Sequence, residues 1–128
     1  MIFISTAIFS RIVTITQSSI KIESMEISYL REKLSLAKYE LAIGAGDVRE
    51  RLYDAFLAMH TLREADFPEQ YRKDWRWIKK QLTRYEPIKD YEGKVFIGSV
   101  QNTLRRIKNK TGVKIAKKIC DLEAHISQ

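Results

Sequence analysis

The chain has 128 residues, of which 45% are hydrophobic and 30% charged, with five Gly, two Pro, one Cys and a net charge of +7. This length and composition describe one globular domain with a real core, and they exclude a disordered chain, a many-turned β fold and an internal disulfide. The charge is segregated: residues 70–118 hold 15 Lys/Arg against 4 Asp/Glu, and no acid occurs from Gly93 to Cys120, so a polyanion is the expected partner.

Residues 1–24 form an extension rich in Ile, Val, Phe, Thr and Ser, with Arg11, Lys21 and Glu23 as its charges. Arg11 interrupts the apolar stretch, which argues against a membrane span. The absence of a basic start and of a small-residue cleavage site argues against a signal peptide. Three readings remain: a tail, a short β hairpin around Gln17-Ser18, or a native start at Met25. No membrane partner is expected.

Residues 25–128 are expected to form an all-α domain, a single bundle of about five helices. Ile27, Leu30, Leu34, Ala37 and Leu41 recur at helical spacing over 25–43. Gly44-Ala45-Gly46 ends that helix. Asp47 then caps a second one, with Glu50 as capping-box partner and Val48, Leu52, Ala55, Met59 and Leu62 inward. Asp66 is expected to cap a third helix that starts at Pro68 and runs to about Tyr85, with Tyr71, Trp75, Ile78 and Leu82 inward. Pro87 ends it. A fourth helix is expected over about 95–110, or from Ser99 because Gly98 weakens its first turn. Thr111-Gly112 is expected to break the chain before a fifth helix over about 113–126, with Ile115, Ile119, Leu122 and Ile126 inward. Short connections favour antiparallel neighbours.

Tyr29, Leu36 and Ile43 form a second apolar face on the first helix, and Tyr53, Phe56 and Leu57 one on the second. A central place in the bundle is the expected reason. A homodimer or a protein partner docked on the first two helices is the alternative.

The leading functional reading is a small, non-enzymatic nucleic-acid-binding protein, with RNA ahead of DNA. Lys73, Arg76, Lys80 and Arg84 lie on the outer side of the third helix with Trp77 among them. Basic side chains neutralise phosphates and an exposed aromatic stacks on bases. Arg105 and Arg106 on the fourth helix, Lys108 and Lys110 at the break, and Lys114 and Lys117 on the fifth extend the basic set. A break at Thr111-Gly112 would leave the N–H groups of Val113 and Lys114 open to an anion. A helix-turn-helix with Gly112 in the turn is rejected, because Lys108 stands where a small residue is needed. The rival reading is a helical adaptor or oligomer subunit.

An enzyme ranks last. His60 with Glu64, and His125 with Asp121, supply no third metal ligand. Cys120 has no His partner at a telling spacing. No cofactor is expected.

Overall fold

The computed structural model describes residues 25–128, and the tail, hairpin or later start expected over 1–24 lies outside the described residues. Five helices and one small hairpin make up the described chain. Helix α1 covers 25–43, α2 Val48–Met59, α3 Glu69–Leu82, α4 Ser99–Arg106 and α5 Asn109–Ile126. Strands β1 (Ile88–Lys89) and β2 (Val95–Ile97) pair antiparallel between α3 and α4. No described helix is long and apolar enough to cross a membrane.

The expected all-α bundle is what forms, and the stripes read at 3.6-residue spacing are its core. Leu30, Leu34, Ala37 and Leu41 of α1 are buried with Leu52, Ala55 and Met59 of α2. Trp75, Ile78 and Leu82 of α3 join Ile115, Ile119, Leu122 and Ile126 of α5. Between α1 and α2 the chain reverses at Gly46, whose φ of 87° favours glycine. The Asp47 carboxylate accepts the N–H groups of Arg49 (2.9 Å) and Glu50 (3.2 Å). The hydrogen-bonded Arg49 guanidinium holds that carboxyl below its ordinary value, helped by the Glu50 N–H. The reciprocal bond from Glu50 that would complete a capping box is not made among the described residues.

Four expectations are corrected. Asp66 does not cap α3. It accepts the Arg63 N–H at 2.7 Å and closes a 3-10 turn over Glu64–Asp66. Phe67 is then buried, stacked on Trp75 at 4.8 Å between ring centroids, and Pro68 occupies the cap. Residues 95–97 are strand, not helix. Asp90 accepts the N–H groups of Glu92 and Lys94, both at 2.9 Å, which tightens a turn that Gly93 completes at φ 83°. A β-branched and aromatic run behind such a turn pairs as a hairpin. Helix α4 starts at Ser99 after Gly98.

The third correction bears on function. Thr111-Gly112 does not break the chain. The connector is Ile107-Lys108, and the Gly112 N–H donates to the Lys108 carbonyl at 3.0 Å inside α5. The missing side chain of Gly112 serves packing: a Cβ there would lie 2.9 Å from Val48 Cγ1 of α2. Helix α5 therefore crosses α2 at close range.

The fourth concerns the second apolar faces. Of the α2 face, Tyr53 and Phe56 pack half-buried on the core, as a central α2 would require, but Leu57 is exposed. Tyr29, Leu36 and Ile43 stand exposed among the described residues, so α1 is peripheral.

Helix α5 touches three neighbours. Glu123 of α5 accepts from Ser35 (3.4 Å) and Lys38 (3.2 Å) of α1 and from Ser127 (2.9 Å). Arg31 of α1 donates to the Ile126 carbonyl at 2.9 Å, placing a cation at the negative end of α5. Burial pushes the Glu123 carboxyl up, but the bonds from Ser127, Lys38 and Ser35 and the Lys38 charge outweigh it and leave it lowered.

Two stability measurements follow from this packing. Gly112→Val should lower the urea midpoint by an amount equal to about 2 kcal/mol, since the α5–α2 contact has no room for branched carbons. Glu123→Gln should cost roughly 1–2 kcal/mol at pH 7. A lowered carboxyl stabilises above its unfolded value and loses that contribution as pH falls through the folded one. The gap between wild type and Glu123→Gln should therefore close below about pH 4 in acid titrations of stability.

Candidate functional site

The polar face of α4 sets the geometry of the basic region. Ser99 donates to the Tyr85 carbonyl (2.6 Å), Asn102 Nδ2 donates to the Glu86 carbonyl (2.7 Å), and Thr103 Oγ1 accepts the Tyr85 N–H (2.9 Å). Asn102 and Thr103 are buried. These three side chains satisfy the part-buried backbone groups of Tyr85 and Glu86, in the connector that follows α3. Asn102 Oδ1 in turn accepts from Arg106 Nε at 3.1 Å. Arg106 and Arg84 both lie against the Tyr85 ring, at 5.3 and 5.8 Å from its centroid. Two guanidiniums, one from the connector after α3 and one from the end of α4, are thus gathered on one half-buried aromatic.

Helices α3 and α5 form the rest of the region. They run antiparallel: Tyr71 stacks on His125, Asp74 pairs with Lys118 at 3.1 Å, and Lys118 lies 5.9 Å over the Trp77 ring. Lys73 and Lys80 flank Trp77 on the outer side of α3. The same register sets Lys114 level with Lys80 and Gln81, one turn beyond Lys118, and Lys110 level with the end of α3. Trp77 is 37% exposed, whereas Trp75 is buried under Phe67. Among the described residues Lys73, Lys80, Arg84, Lys110 and Lys114 pair with no carboxylate. Asp74, tied to Lys118, and Asp121 are the acids within this face, with Glu69 at its far end.

The expected basic set is therefore only partly one surface. Lys73, Trp77, Lys80, Arg84, Arg106, Lys110 and Lys114 share it, with Lys118 added by the structure. Arg76 is engaged by Glu64 at 2.9 Å. Arg105 turns the other way, into a groove of about 580 Å³ between α2 and α4 that it shares with Asp47, Glu50 and Asp54. Adjacent residues on a helix point about 100° apart, so Arg105 and Arg106 face different sides of α4. Lys117 lines a groove against α1, beside Lys38 and Arg51.

The anion site expected at the N–H groups of Val113 and Lys114 does not exist, because α5 starts earlier. Its open N–H groups belong to Asn109, Lys110 and Thr111, capped by no side chain and followed by no acid in the first turn. Lys108 and Lys110 add charge to the positive end of the helix dipole instead of neutralising it.

The residues weighed for chemistry have ordinary roles. His60 Nδ1 lies 2.7 Å from the Leu57 carbonyl, and His125 stacks on Tyr71. Burial pushes the Cys120 thiol up, away from the thiolate form. No group of three potential metal ligands occurs among the described residues.

No protein-family model, curated protein or solved structure matches this chain.

Thr103→Val keeps the volume but leaves the Tyr85 N–H without an acceptor. It should lower stability by about 1–3 kcal/mol in chemical denaturation. Thr83→Val, whose hydroxyl serves only its own exposed helix end, should change little.

Proposed function

We propose that the α3–α5 face binds nucleic acid, with single-stranded or irregular RNA ahead of duplex DNA. The observation that carries this reading is the antiparallel packing of α3 on α5. It merges two basic helix faces around a half-exposed Trp77, where Lys118 is tied to Asp74 and Lys73, Lys80, Lys110 and Lys114 pair with no carboxylate among the described residues. Phosphate binding is driven by release of condensed counterions, which needs clustered and unneutralised cations. Unpaired bases add stacking on exposed aromatic side chains, which suits Trp77, and Arg84 and Arg106 beside Tyr85 add two guanidiniums to the phosphate-binding charge. A smooth duplex groove would use the lysines but not the aromatic ring. The uncompensated positive end of α5, at Lys108 and Lys110, adds to the same field. The role is that of a non-enzymatic binding protein, and a single half-buried cysteine suits a reducing, cytoplasmic setting.

The test is fluorescence anisotropy with a short single-stranded RNA and a DNA duplex across a salt series. Lys80→Glu/Lys114→Glu should weaken binding and reduce the slope of log K against log salt by about 1.4 for the single strand. Arg105→Glu, on a different side of α4, should leave the slope unchanged. RNA should quench Trp emission in wild type and not in Trp77→Phe, where buried Trp75 remains. Absence of binding at low salt would overturn the reading.

A further inference from the structure

The exposed side of α1 carries a coiled-coil seam. Met25, Tyr29, Glu32, Leu36, Tyr39 and Ile43 follow one another at spacings of four, three, four, three and four residues. Their five apolar members are 41–65% exposed, although α1 already buries Leu30, Leu34, Ala37 and Leu41 on its other side. Ordinary surface helices leave apolar residues scattered. A strict alternation of threes and fours over 19 residues is the repeat by which one helix accepts another. Tyr29 shares a 2.7 Å hydrogen bond with Thr61, while Leu36, Tyr39 and Ile43 stand open among the described residues.

We propose that this seam is a self-association surface on which α1 of one copy packs antiparallel against α1 of a second copy. The flanking residues favour this occupant. Directly after the Met25, Glu32 and Tyr39 positions come Glu26, Lys33 and Glu40, a single row of alternating sign at seven-residue spacing. The row on the other flank is Ser28, Ser35 and Ala42, small and uncharged. In a parallel pair each flank faces the opposite kind, so the charges would meet only Ser and Ala. In an antiparallel pair like flanks face each other. Lys33 then meets Glu40 of the other copy, twice, about an axis near residues 36 and 37. The same register sets Leu36 against Tyr39 in both directions and closes with Ile43 against Glu32, so the paired stretch is Glu32 to Ile43 and Met25 and Tyr29 lie outside it. Neither Lys33 nor Glu40 has an ion partner among the described residues, and Lys33 lies over the Tyr29 ring at 5.4 Å, alongside the seam. The contact is self-complementary, as a two-fold interface must be. It lies on α1, apart from the α3–α5 face, and does not rest on the nucleic-acid reading.

The experiment is sedimentation equilibrium of the full chain over a concentration series. Wild type should approach twice the 15.0 kDa chain mass. Leu36→Lys alters an exposed position, so it should keep the helical circular-dichroism spectrum and sediment as a monomer. Lys33→Glu alone and Glu40→Lys alone should each weaken the dimer on the order of tenfold, since each turns two attractions into two repulsions. The double swap Lys33→Glu/Glu40→Lys should restore it. A wild-type chain that stays monomeric up to about 100 μM, a range in which small specific interfaces associate, would overturn the proposal. So would a dimer indifferent to Leu36→Lys, or a double swap no better than the single variants. A monomer in which the seam is shielded from an added dye would point to residues 1–24 as the occupant and would equally overturn it.

Discussion

Helix α5 has to pack against three partners along its 18 residues. Near its start it crosses α2 at a distance that admits no side chain at Gly112. Along its middle it aligns with α3 through Asp74, Trp77 and Lys118. At its end it is tied to α1 through Glu123 and the Arg31 cap on its last carbonyls. A helix surrounded on three sides keeps one side for solvent, and on α5 that side carries Lys110, Lys114 and, at its edges, Lys117 and Lys118. The position of the basic surface is thus a consequence of the packing of the core. Cations cannot lie between the helices without partners, so they collect where α5 is uncovered.

The second constraint is the end of α3. The chain leaving α3 presents the N–H and carbonyl of Tyr85 and the carbonyl of Glu86, part-buried groups that need partners. Here α4 supplies them from Ser99, Asn102 and Thr103, and the same network carries Arg106 to the Tyr85 ring. One polar cluster therefore performs a structural task and orients the Arg106 guanidinium. The hairpin between α3 and α4 hangs from this clamp, with Tyr91, Val95 and Phe96 standing in solvent.

Charge on this molecule is organised by side as well as by segment. The acids Asp47, Glu50 and Asp54 collect with Arg105 on another side of α4, and Glu64 engages Arg76. Around Trp77, Asp74 engages Lys118, while among the described residues Lys73, Lys80 and Lys114 pair with no carboxylate. The exposed heptad of α1 occupies a further side of the bundle. Separate sides for a polyanion and for a second copy are compatible in one small chain, because neither covers the other.

Local pattern was enough for much of this. The apolar spacing of α1, α2, α3 and α5, the Asp47 cap and the stop at Gly44-Ala45-Gly46 are decided within a few residues of chain, so they are legible in the sequence. The concentration of Lys and Arg in residues 70–118 is legible for the same reason, as is the exposed position of Trp77 opposite the α3 core stripe. What Gly112 does is decided elsewhere, by Val48 on α2, and a glycine kept for close approach reads like a glycine that ends a helix. The strand at 95–97 depends on pairing with 88–89, and the turn of Asp66 back to Arg63 accompanies the stacking of Phe67 on Trp75, eight residues away. Which cations share a face, and that Arg105 and Arg106 part company, follow from how α3, α4 and α5 pack against one another. Sequence determines which side of each helix is apolar, because that is a property of periodicity alone. Only the tertiary structure decides which polar sides become neighbours, because that depends on distances between residues far apart in the chain.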